Sequence, residues 1–118
     1  MRMDIMTSKK LKKSVKDYRY FIKILGYEYE VIYTDDANKL MVGNQLCFGL
    51  VDYVNQQIFI SNQQHPEQMQ ETLVHEIIHA IDHLINAGQN KLSEEDTDKL
   101  ATGLAPILQI DLMLKEKE

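Results

Sequence analysis

Near the middle of the chain stands His75-Glu76-Ile77-Ile78-His79, a complete H-E-x-x-H. On a helix, residues four apart lie one above the other, so the two imidazoles point to the same place and can share one tetrahedral Zn²⁺. Glu76 lies beside the first histidine, where its carboxylate can accept a proton from a water polarised by that ion. The chemistry served by such a set is hydrolysis of a peptide bond, the carboxylate taking a proton from the attacking water and passing it to the leaving amine. Two histidines do not complete the site. A catalytic zinc takes a third protein ligand and leaves its fourth position open.

His83 continues the four-residue spacing, but at a rise of ~1.5 Å per residue it lies ~12 Å along the axis from His75, too far for one ion. Asp82 fails in the same way and is expected to support the site or line its cleft. The third ligand must therefore come from another element. Glu94, Glu95, Asp96 and Asp98 open a second helical pattern. Carboxylates are favoured in any first turn, which accounts for Glu95 and Asp96. Glu94 and Asp98 remain, four residues apart: one can bind the metal while the other accepts a hydrogen bond from a ligand imidazole.

TLVHEIIHA, residues 72–80, followed by LSEEDTDKLATGL, residues 92–104, resembles the short phage-associated metallopeptidase-like proteins related to the ImmA/IrrE family. More distantly, H-E-x-x-H with a later E-x-x-x-D is similar to the gluzincins, whose familiar member is thermolysin. The resemblance implies a minimal zincin-like fold, with Glu94 as third zinc ligand and Asp98 orienting a zinc-bound histidine. It covers about two-thirds of the chain, reaching upstream to Gly49 and leaving out the N-terminal segment. Two departures stand out: fourteen residues separate His79 from Glu94, a short connection for that clan, and no His, Tyr or Arg follows Asp98. The downstream group that larger members use to stabilise an oxyanion is thus missing. Tyr53, His65 and His83 are the candidates to replace it.

The elements that must position these residues can be read along the chain. Tyr20 to Ile24 and Tyr27 to Thr34 are rich in Tyr, Ile, Val and Phe and are broken at Gly26, the pattern of two strands and a turn. Asp35, Asp36, Asn38 and Gly43 mark a loop. Leu46 to Tyr53 and Gln57 to Ser61 follow as a hairpin broken at residues 54–56. Ile58, Phe59 and Ile60 form an unbroken apolar run, which predicts cover on both faces. Pro66 suits a first helical position, and the periodic pattern runs from there to Ala87 before Gly88 stops it. Leu73, Ile77, Ala80, Ile81 and Leu84 make the buried stripe, with Thr72, His75, Glu76, His79, Asp82, His83 and Asn86 gathered on one side. Ser93 and Asp96 resemble a capping box for the second helix, in which Pro106 predicts a kink or restart near residues 103–106. The expected fold class is α+β: a small antiparallel or mixed sheet packed on the H-E-x-x-H helix and a second, C-terminal helix.

At 118 residues the chain has the size of one domain, and with 44% hydrophobic and 26% charged residues its usage is globular. The net charge of −5 hides an asymmetry, since residues 1–23 hold eight of the thirteen Lys and Arg. Residues 1–18 are therefore set apart as a basic segment, expected to be a solvated arm rather than a nucleic-acid contact. No apolar leader or membrane-length run is present, and Cys47, the one cysteine, fits a half-buried strand position in a reducing, cytoplasmic setting.

Two functions from different classes follow. In the first, the protein is a zinc metallopeptidase acting on a protein or peptide substrate held as an added strand, with Gln57–Ser61 as the exposed sheet edge. In the second, zinc only fastens the helices to the sheet of a binding or regulatory module. An intact Glu76 favours the first; small size and the missing oxyanion group favour the second.

Overall fold

The computed structural model describes residues 17–117, and the side chains of residues 17–108. The basic arm lies outside the described residues, except that Asp17 pairs with Lys39 at 2.7 Å and Tyr18 already belongs to the first strand.

The architecture is α+β, a mixed four-stranded sheet with two helices. Strands β1 (Tyr18–Ile24) and β2 (Tyr27–Thr34) form an antiparallel hairpin. Its two-residue loop, Leu25 and Gly26, has φ of 51° and 87°. Positive φ at both positions matches the right-handed twist of the flanking strands, and Gly26 reaches it without steric cost. A short 3-10 helix at Ala37–Leu40 follows, and then a small hairpin of β3 (Met41–Val42) and β4 (Gln45–Leu46). Strands β5 (Gly49–Asp52) and β6 (Gln57–Ser61) pair antiparallel, and the Asp52 carboxylate fixes their turn by accepting from the Asn55 backbone N–H and side-chain amide.

The sheet order is β1-β2-β6-β5, with β2 and β6 parallel. This corrects the expectation that Gln57–Ser61 is an edge. It is an interior strand, paired with β2 on one side and β5 on the other, and its two faces are covered unequally: Ile58 and Ile60 are buried while Phe59 is half-buried, so the cover on both faces expected from the apolar run is incomplete. The edge beside the helices is β5.

Helix α1 (Pro66–Ile85) has Pro66 in its first turn and ends just before Ala87 and Gly88, both at positive φ, with the Gly88 N–H donating to the His83 carbonyl at 2.8 Å. Its apolar stripe packs on one face of the sheet. Leu73 and Ala80 join Ile24, Tyr29, Val31, Tyr33, Ile58 and Ile60 in one core, flanked by Met69, Ile77, Ile81 and Leu84. Glycine at position 49 sets how close β5 comes to this helix: a Cβ there would sit 2.6 Å from Thr72 Cγ2 and 3.2 Å from Glu76 Cγ. Gly49→Ala is expected to lower stability by about 1–3 kcal/mol through overpacking. Chemical denaturation measures it, and an unchanged midpoint would show that the contact relaxes freely.

Helix α2 (Glu94–Lys117) starts at Ser93, whose hydroxyl oxygen accepts from the Asp96 N–H at 3.0 Å. It runs through Pro106 without the expected restart. Thr102 and Pro106 are both exposed, so the carbonyl that loses its partner is open to water. The two helices are antiparallel, and Val74 and Ile78 pack on Ala101 and Ala105. No described helix is long and apolar enough to cross a membrane.

Candidate metal centre

The antiparallel register of the helices brings their polar residues together in order: Glu71 meets Thr102, His75 meets Asp98, and His79 meets Glu94. His75 Nε2 lies 3.1 Å from Glu94 Oε1, His79 Nε2 lies 3.0 Å from Glu94 Oε2, and the two Nε2 atoms are 3.1 Å apart. These three side chains form a group that can hold a metal ion. The donor set fits one. Two ring nitrogens and a carboxylate turn their lone pairs to one place, where a single proton can bridge only two of them and a cation serves all three. Tetrahedral bonds of ~2.0–2.1 Å to zinc would set ligand atoms ~3.3 Å apart, close to the separations here.

Asp98 Oδ1 accepts from His75 Nδ1 at 2.8 Å. That bond places the proton on Nδ1 and leaves Nε2 free as the ligand atom. Loss of Glu94 by Glu94→Ala is expected to lower metal occupancy far more than Glu95→Ala or His83→Ala, and Asp98→Ala to weaken affinity roughly 10- to 100-fold. Elemental analysis after dialysis reads all four. An equal loss for His83→Ala would contradict the geometry.

Glu76 lines the same open cleft as His75, His79, Glu94 and Asp98. It is only 7% exposed and makes no hydrogen bond among the described residues. Burial first, and then the charges of Glu94 and Asp98, push its carboxyl up to about 8. A cation between His75, His79 and Glu94 acts in the opposite direction and favours the carboxylate.

The cleft, about 870 Å³, runs between β5 and the two helices; its walls include Phe48, Gly49, Tyr53, Glu71, His75, Glu76, His79, Asn90, Glu94 and Asp98. Tyr53 is thus brought to the site. Its ring stacks on His83, with centroids 3.8 Å apart and planes at 7°, and its oxygen accepts from Asn90 Nδ2 at 3.2 Å. Burial raises the Tyr53 hydroxyl pKa. Asn90 also donates to the His79 carbonyl at 3.1 Å. His83 supports Tyr53 and does not approach the three ligand atoms as a fourth.

Two expected residues are elsewhere. His65 is the exposed residue capping the start of α1, with no side-chain cap bond. Asp82 is buried away from the cleft and holds the connection between the helices. Its carboxylate accepts from the Leu92 N–H at 2.9 Å and from Asn86 Nδ2 at 2.7 Å, and the first of these bonds leads in keeping its pKa below the usual range. Asn90 and Gly49 are the residues that sequence reasoning missed. Asn90 carried no signal, being one polar residue in a loop; Gly49, just ahead of an apolar strand, could have been read as a close backbone approach. Cys47 is half-buried between β4 and β5 rather than within a strand.

No protein-family model, curated protein or solved structure matches this chain.

Proposed function

We propose that the chain is a zinc-dependent peptide hydrolase of zincin type, related to the ImmA/IrrE proteins, that cleaves a protein or peptide substrate in the cytoplasm. The observation that carries this reading is the placement of Glu76: a buried carboxylate without a hydrogen-bond partner among the described residues, facing a cleft whose wall also holds three converging ligand side chains. A site built only to fasten helices has no use for it.

His75, His79 and Glu94 would hold the ion, which when bound supplies a Lewis acid to polarise a carbonyl and acidify a water. Asp98 keeps His75 in the tautomer that binds through Nε2. Glu76 accepts the proton of the attacking water and returns it to the leaving nitrogen. Tyr53 is the residue best situated to replace the missing downstream group: its oxygen already accepts from Asn90, so its own O–H remains to donate to an oxyanion in the cleft. The substrate backbone would pair along the edge strand β5, whose other side is occupied by β6.

A second reading, a zinc-fastened binding module, has one observation in its favour. The ligands come from both helices, and α2 contributes only alanines, Ala101 and Ala105, to the buried apolar contact with α1. Metal content of the purified protein together with proteome-wide cleavage mapping, wild type against Glu76→Gln, separates the two. New termini produced by wild type alone support the hydrolase; ligand variants that lose stability, with no cleavage by wild type, support the module.

A further inference from the structure

One end of the cleft is both apolar and acidic. Val42 of β3 and Phe48, just before β5, are 57% and 67% exposed there, too open to be core residues. Glu71 and Gln68 of α1 also line the cleft, as does Gln64 just before that helix, whose Oε1 accepts from the Thr72 hydroxyl at 2.9 Å. Glu71 is exposed, and one of its oxygens, Oε2, accepts from the Thr102 hydroxyl at 2.7 Å. That bond steadies the carboxylate and leaves Oε1 open.

The charges of the cleft are all of one sign. Glu71, Glu76, Glu94 and Asp98 line it, and among the described residues no Lys or Arg does. Among the described basic side chains, Arg19 and Lys39 stand with Asp17, Lys99 pairs with Glu95, and Lys23 and Lys91 lie outside the lining. A divalent ion held by His75, His79 and Glu94 offsets part of this charge. Glu71 stands one helical turn before His75, and no described Lys or Arg pairs with it.

An apolar wall facing a carboxylate suits a long side chain that is hydrocarbon along its stem and positive at its tip. From these features we infer that this end of the cleft is a subsite for a lysine or arginine of the substrate, the stem lying on Val42 and Phe48 and the cation reaching Glu71 and the side-chain carbonyl of Gln68. Phe48 adds attraction through its ring face. The substrate class is therefore an extended, basic peptide segment. This rests on the peptide-hydrolase reading, because it takes the cleft to be where a peptide lies.

Binding to zinc-loaded Glu76→Gln protein tests it without turnover. The probes are fluorescein-labelled Gly/Ser decapeptides that differ only in one central residue: lysine, arginine, norleucine or glutamate. Lysine and arginine peptides are expected to bind roughly fivefold tighter than norleucine at low salt, with glutamate weakest and the difference shrinking at high salt. Glu71→Gln, with metal content unchanged, should abolish the preference for lysine over norleucine. Phe48→Ser should weaken both. Equal binding of lysine and norleucine, or a preference that survives Glu71→Gln, overturns the subsite while leaving the peptide cleft intact. Failure of every peptide to bind fully metal-loaded protein removes the peptide-hydrolase reading and this inference with it.

Discussion

Glu76→Gln is expected to keep its metal and its fold while losing roughly 10²- to 10⁴-fold in turnover, the usual contribution of a positioned general base. The amide has nearly the shape of the carboxylate, so packing against Gly49 is preserved, and none of the three ligand atoms is touched. What disappears is the ability to take a proton. His75→Ala and His79→Ala should behave differently, losing metal and activity together. Zinc analysis beside turnover of any peptide that wild type cleaves makes the comparison. Wild-type turnover by Glu76→Gln would end the assignment of Glu76 as the base.

The second large effect is a pH dependence of stability in protein stripped of metal by a chelator. The Glu76 carboxyl is raised from an ordinary 4.5 to about 8 by burial and by the neighbouring Glu94 and Asp98 charges. A folded-state value above the unfolded one means that the folded protein holds a proton the unfolded chain has lost. Its contribution is complete below about pH 4.5 and is lost as pH rises through about 8, a decline on the order of 4 kcal/mol. Chelated wild type should therefore unfold more easily at pH 8 than at pH 5, with the slope reduced in chelated Glu76→Gln, where nothing titrates at that position. The lowered pKa values of Asp17, Asp52 and Asp82 act at the acid end, below this window. Denaturant midpoints at three pH values decide it; parallel slopes for the two proteins would show that the carboxyl is not held protonated.

Much of the site was legible because helical geometry is local. Once residues 66–85 are read as a helix, His75 and His79 must share a side, and the acidic pair Glu94 and Asp98, four apart, must share another. That the two sides meet needed only an antiparallel pair of helices with a short connection. Strand order was not legible in the same way. Whether Gln57–Ser61 is an edge depends on the connection from β2, which skips one position to lay β5 at the edge, so that β6 returns between β5 and β2. The one local hint, three apolar residues in a row, speaks of the faces of a strand and not of its neighbours, and even there Phe59 is only half-buried. The partners of Asp82 were hidden for a related reason. It shares the polar side of α1 with the ligands, and its role is set by the loop that folds back to give it the Leu92 N–H, about which helix periodicity says nothing. Tyr53 and His83 meet only because the β5–β6 turn and the end of α1 converge.

The contact between α1 and α2 has a bearing on how the protein breathes. Alanines at 101 and 105 allow close approach but remove little apolar surface from water, so α2 owes much of its attachment to the polar rungs at Glu71–Thr102, His75–Asp98 and His79–Glu94. Two of those rungs are the metal centre or its support. The second helix is thus the segment whose amide hydrogens should exchange with solvent through partial opening, ahead of the strands, and whose protection factors should rise and fall with occupancy of the ion. Protease sensitivity at the 87–93 connection would follow the same rhythm, so the attachment of the helix would report whether an ion occupies the three-residue group.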